Sequence, residues 1–129
     1  MPPKTEKYAL LSIKPEFADK IFDGTKKYEF RRLLFKQNVS KVVVYASTPV
    51  QRIIGEFSIE DILFLEVNKL WRLTSQYSGI TKDYFYRYFH DKESGYAIKI
   101  GKSKKYRKSL CIKKDFGLLP PQSFIYVKH

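Results

Sequence analysis

KVVVYASTPVQRIIGEFSI, residues 41–59, reads as a strand, a turn and a returning strand. Three valines and a tyrosine in KVVVYA (41–46) suit a pleated, buried surface, where branched and aromatic side chains pack well. STPV (47–50) interrupts the run, because Pro49 has a fixed φ and no N–H to offer a ladder. RIIGEFSI (52–59) then returns as the partner strand, and Gly55 inside it marks a bulge or a close backbone approach.

The segments upstream extend the same pattern. YALLSI (8–13) is a β-rich run with no polar face, as expected of a strand covered on both sides. It ends at Lys14, and Pro15 fits the first position of a helix whose Phe17, Ala18, Ile21 and Phe22 form one apolar stripe. Gly24 supplies the left-handed stop. In GTKKYEF (24–30) and onward, Tyr28 and Phe30 alternate with Glu29 and Arg31, which puts the aromatics on one face of a strand and the charges on the other. Parity would side Lys26 with the aromatics, although a residue just released from Gly24 need not obey the pleat.

Downstream, the period changes. Leu70, Trp71, Thr74 and Tyr77 share a helical stripe, Gly79 stops it, and Thr81 caps a second helix with Tyr84, Phe85, Tyr88 and Phe89 facing inward. GYAIKI (95–100) returns to strand, SLCI (109–112) reads as another, and SFIYV (123–127) closes the chain after Pro120 and Pro121. The fold class is mainly β with helices (α+β): a small, mostly antiparallel barrel with one early helix and a central two-helix insertion, in a single domain over 1–129.

Composition narrows the function. With 25 Lys and Arg against 13 Asp and Glu, the formal charge of +12 attracts polyanions, so nucleic acid is the leading partner class. A protein-interaction role would leave that charge unused. No apolar stretch approaches the roughly 20 residues of a membrane span, and no leader is visible, so no membrane association and a cytoplasmic location are expected. Cys111 between Leu110 and Ile112 reads as a small buried hydrophobe in a strand, and with only His90 and His129 beside it no metal site or cofactor is expected. His90, at the end of the second helix, suits the helix dipole, and Trp71 suits the core.

Two groups of residues carry possible chemistry. GKSKKYRKSLCIKK (101–114) holds seven basic residues and no acid; its first half reads as a hairpin loop in which Lys104, Lys105 and Arg107 surround Tyr106, a possible stacking surface. The plainer alternative is a loop kept soluble by its charge. The second group is Lys26, Glu29 and Arg31. If these converge in a hollow they form a fixed array able to bond a base edge and a phosphate; on an exposed face, the more ordinary outcome, they contribute under about 1 kcal/mol. Glu56 either joins them or satisfies Arg52 on the surface, the second being the simpler arrangement.

LLSIKPEFADKIFDGTKKYEFRR (10–32), VVVYASTPVQRIIGEF (42–57), SGI (78–80), GYAIKI and PPQSFIYV (120–127), in this order, resemble the ASCH domain family of the PUA-like superfamily. The resemblance implies a β-barrel with a cleft that binds RNA or modified nucleobases. It places Lys26, Glu29 and Arg31 in the cleft and Ser47 and Thr48 on a facing loop, where hydroxyls can bond an anion or a base; simple turn formation before Pro49 is the alternative. Lys14 and the 101–114 segment would then follow the nucleic-acid backbone. Some members of the family are amidohydrolases of N4-acetylcytidine, and the alternative function for this chain is such an enzyme, or one that cuts RNA with the same cleft. Lys26 matches the amidohydrolase lysine. Glu29 stands where a threonine is expected, however, and no acid lies between Val67 and Lys82, so catalysis by Lys26 and Glu29 stays open.

Overall fold

The computed structural model describes residues 7–128. In chain order the elements are β1 (Lys7–Ile13), α1 (Pro15–Asp23), β2 (Tyr28–Arg31), β3 (Lys41–Ala46), β4 (Arg52–Glu66) and α2 (Val67–Thr74). A 3₁₀ turn (Ser75–Tyr77), α3 (Lys82–Tyr88), β5 (Ser94–Leu110), α4 (Ile112–Phe116) and β6 (Phe124–Lys128) follow. The strands form one six-stranded sheet in the order β2-β5-β4-β3-β1-β6. β1 and β3 run parallel, with α1 and β2 between them in sequence, and the other ladders are antiparallel.

The α+β class and the β3–β4 hairpin stand as expected, but the barrel does not close. β2 and β6 are the two edges of the sheet and share no ladder. Side chains bridge the seam instead. The Arg31 guanidinium of β2 donates to Ser123 O and Oγ at 3.1 and 2.7 Å, just ahead of β6. The Tyr126 hydroxyl of β6 accepts from the backbone N–H groups of Lys36 and Gln37. A four-residue β2 is too short to offer a full ladder, so hydrogen bonds from long side chains take its place.

β1 is buried on both faces because an apolar cluster lies on each. Ala9, Leu11 and Ile13 pack with Ala18, Ile21, Val42, Val44, Phe57 and Ile98, whereas Tyr8 and Leu10 pack with Val43, Tyr45, Ile53 and Val127. The central helices make a third cluster: Leu70, Phe85 and Phe89 close over Phe30 and Ala97. Trp71 packs at 4.8 Å from the Phe85 ring, as a core residue should, while Tyr77 lies beyond the end of α2 and is exposed. Thr81 caps α3 as its position predicts, accepting from Tyr84 N at 3.0 Å.

Three further expectations are corrected. The basic stretch expected as a hairpin loop is strand: β5 continues to Leu110, held by β4 through the pairs Phe57–Ser103, Glu56–Lys104 and Gly55–Lys105. Its lysines look loop-like only because both faces of this stretch meet water. SLCI is not a strand of its own; Cys111 is partly buried at the start of α4, its Sγ accepting from Lys114 N at 3.5 Å. Glu56 is satisfied by Lys41 at 3.1 Å and the Tyr106 hydroxyl at 2.9 Å, not by Arg52, which donates to Ser109. Gly55 is a close approach as well as a bulge, since a Cβ there would stand 2.4 Å from the Phe22 ring.

Candidate functional site

At the N-terminal end of α1 the open side of the sheet, α3 and the 78–80 loop enclose a cleft of about 460 Å³. Pro15 forces Lys14 into an extended conformation, ψ 139°, and the turn at this point sets Lys14 on the rim. Its Nζ stands 5.0 Å from the centre of the Tyr84 ring. Phe17 meets the same ring edge to face at 5.1 Å, and Tyr88, one helical turn on, continues the aromatic wall.

Lys26, Glu29 and Arg31 converge here, and all three are buried, at 1, 6 and 8% exposure. Both faces of β2 are therefore covered, and the solvent-exposed arrangement is excluded. The α1 stop at Gly24 brings the chain round so that Lys26 N bonds Lys20 O at 3.0 Å, which aims its side chain inward. The stem passes over Gly79, whose φ of +68° and missing side chain make the space: a Cβ there would lie 2.6 Å from Lys26 Cβ and Cγ. Lys26 Nζ then donates to Ser78 O at 2.6 Å and lies 5.3 and 5.0 Å from the Phe17 and Phe30 rings. Burial pushes its ammonium down to about 8, against the upward pull of the Glu29 carboxylate 3.9 Å away.

The Glu29 carboxylate is shared unevenly. Oε2 accepts from Arg31 NH1 at 3.3 Å, whereas Oε1 accepts no hydrogen bond from any described residue. Arg31 is heavily committed, since its terminal nitrogens also reach Ser12 O and Ser123. It is as much the staple of the β2–β6 seam as a group facing a ligand. On the rim, Arg32 donates to Tyr88 O and His90 O and pairs with Asp91 at 2.9 Å. Burial raises the Tyr88 hydroxyl above its ordinary value. The lining thus carries Lys14, Lys26, Arg31, Arg32 and Lys92 against Glu29, its one carboxylate among the described residues.

The other expected residues lie elsewhere. Ser47 and Thr48 form the β3–β4 turn, Ser47 N bonding Ile13 O at 2.9 Å, and do not line the cleft. Lys104, Lys105 and Arg107 are exposed on β5, also outside it. Sequence reasoning passed over Ser12, Arg32, Lys92 and Ser123 as site residues. Ser123 sits in the quoted PPQSF run and Tyr84 and Tyr88 in the inward stripe of α3, so part of the wall was visible. No group of His, Cys, Asp and Glu able to hold a metal exists among the described residues.

The ASCH domain family model matches residues 11–109, most of the chain. The chain belongs to the ASCH domain family. This ASCH domain is also 33% identical over 93 residues to an "ASCH domain-containing ribonuclease" of Zymomonas mobilis, covering 71% of this chain and 63% of that protein. It is 32% identical over 121 residues to a protein named ATP synthase subunit alpha of Ureaplasma parvum, covering 92% of this chain. The chain spans only 15% of the length of that relative. A crystal structure of the Zymomonas mobilis ASCH protein superposes with a TM-score of 0.85 at 29% identity, over 93% of this chain and 87% of that one. The α+β fold of this chain thus matches that of a solved ASCH protein.

Proposed function

We propose that this ASCH domain binds single-stranded RNA and seats one unpaired nucleotide in the cleft. A single observation carries the reading: a concavity of nucleotide size joins an aromatic wall to the Glu29 carboxylate, whose Oε1 accepts no hydrogen bond from a described residue, inside a lining whose other charged groups are all cationic. Tyr84 and Tyr88 offer a face for the base. Oε1 accepts from a ring or exocyclic N–H on its edge, while Lys26 meets a neighbouring acceptor. Lys14, Arg32 and Lys92 at the rim draw the phosphates.

Cleavage of the strand is the second reading, favoured over hydrolysis of an acetylated base by the ribonuclease name of the Zymomonas relative, with Lys26 as the base either reaction would need. An amine with a pKa of about 8 is neutral in about a tenth of molecules at pH 7. A neutral Lys26 takes the proton of a 2′-hydroxyl as that oxygen bonds phosphorus; the P–O5′ bond breaks and the leaving oxygen takes a proton from water, giving a 2′,3′-cyclic phosphate and a 5′-hydroxyl, and the Lys26 ammonium returns its proton to the resulting hydroxide.

Fluorescence anisotropy with a labelled RNA trinucleotide and a 20-mer, followed by gel analysis of the products, tests both readings. Glu29→Gln and Lys26→Met, checked for folding by circular dichroism, are expected to weaken trinucleotide binding at least tenfold. Lys26→Met is expected to abolish any cleavage, with N4-acetylcytidine as the comparison substrate. Folded variants that bind as tightly as the parent would overturn the cleft as the binding site; an intact 20-mer would dismiss cleavage and leave binding.

A further inference from the structure

We infer that the distal half of β5, Lys102 to Lys108, is a second RNA-binding surface, separate from the cleft, that grips the phosphates of a strand whose nucleotide the cleft holds. The inference rests on the RNA reading above but on different residues. Lys102, Lys104, Lys105, Arg107 and Lys108 are exposed, none lines the cleft, and none is within ion-pair distance of a carboxylate among the described residues.

The nearest carboxylate explains why they stay unpaired. Glu56 stands directly across the ladder from Lys104, the place where a sheet would neutralise it. Both its oxygens are taken, one by Lys41 and the other by the Tyr106 hydroxyl. Five like charges in seven residues therefore repel one another with little compensation beyond the pull between Lys104 and Glu56 across the ladder, a cost that a bound polyanion removes.

Backbone geometry presents these cations outward. The β2 ladder along β5 ends at Lys99, so beyond that point β5 has a partner on one side only. Between Lys105 and Leu110 it advances five residues while β4 advances two, from Gly55 to Ile53, so the stretch with Arg107 and Lys108 bulges off the ladder. A bulge re-aims side chains away from the regular pleat. Before it, Lys104 and Lys105 keep register with β4 and so leave the strand on opposite faces, while Lys102 sits at an earlier shift where β5 advances three residues, from Ile100 to Ser103, against two on β4.

Lysines also guard sheet edges against self-pairing, so the test must separate the two roles. A variant with Lys102, Lys104, Lys105, Arg107 and Lys108 all changed to Gln is compared with a control that removes the same number of exposed cations from elsewhere: Lys36, Lys69, Arg72, Lys82 and Arg87 to Gln. Binding of the 20-mer is measured from 50 to 300 mM salt. Each phosphate contact on a single strand adds about 0.7 to the slope of log K against log salt, so losing three or four contacts lowers it by about 2 to 3. That decrease is expected in the β5 variant and not in the control, with trinucleotide binding unchanged.

Equal slopes in both variants would overturn the inference, as would self-association of the β5 variant with its RNA binding intact. Loss of binding to anionic lipid vesicles alone would reassign the surface to a membrane and equally overturn it. The two readings fail differently. A trinucleotide that does not bind, with a 20-mer that still responds to the β5 change, sinks the cleft and spares β5; the reverse pattern sinks β5 and spares the cleft.

Discussion

Lys26 makes stability depend on pH in a direction opposite to that of a lysine whose pKa is raised by a partner in the folded state. It is the largest of the fully buried side chains, and its ammonium titrates at about 8 in the folded protein against 10.5 in an ordinary lysine. Between those values the unfolded chain holds a proton that the folded chain has released. More protons bound to the unfolded state means that the unfolding free energy rises with pH. Each pH unit contributes at most about 1.4 kcal/mol, so the rise from pH 8 to pH 10 is about 2–3 kcal/mol. Below pH 8 both states keep the proton and this contribution is flat. Above pH 10 the buried Tyr88 hydroxyl, raised in the folded state, acts with the other sign, because the unfolded chain loses that proton first. Urea unfolding at pH 7, 8, 9 and 10, followed by fluorescence of Trp71 against Phe85, reads the curve. Lys26→Met keeps the apolar stem and removes the titrating group, so the difference between parent and variant isolates it. Parallel curves from pH 8 to 10 would refute the claim that Lys26 is held in a desolvated site.

The packing around Lys26 and Arg31 gives two further expectations. Gly79→Ala combines a left-handed alanine, about 1–2 kcal/mol, with overpacking against the Lys26 stem, about 1–3 kcal/mol. Gly24→Ala has the same sign of φ, +88°, and open space around its Cβ, so it incurs the first cost alone; equal losses in thermal melts would show that the Lys26 stem does not fill the space over Gly79. Arg31→Met removes the donor that joins Glu29, Ser12 and Ser123, and breaking a buried pair of this kind costs about 3–5 kcal/mol. Hydrogen exchange should quicken in the β6 amides before those of β3. Uniform quickening would mean that Arg31 does not staple the seam.

Much of the architecture was legible because it is set by neighbours in the chain. Pro15, the apolar stripe through Ile21 and the left-handed Gly24 define α1 locally, Thr81 caps α3 with its own hydroxyl, and the valines of 42–44 need only a buried sheet. Elsewhere local chemistry misled. Residues 101–108 have a composition suited to a solvated loop, yet the partner residues Gly55 to Phe57 give this stretch a ladder, and their position is not encoded nearby. Glu56 was assigned to Arg52 by proximity in sequence, whereas its partners Lys41 and Tyr106 come from two other strands.

The cleft divides along the same line. From sequence came the pairing of Glu29 with Arg31, since strand parity fixes which side chains leave β2 together; Lys26 joined them through the family resemblance, not through parity. Whether that group faced water or a hollow depended on what covered β2. Ser78 and Ser123 come from segments about 50 and 90 residues away, and only the folded chain brings their carbonyls to Lys26 and Arg31. Periodicity reports which faces a segment has; burial of a charge is decided by the distant groups that replace its water.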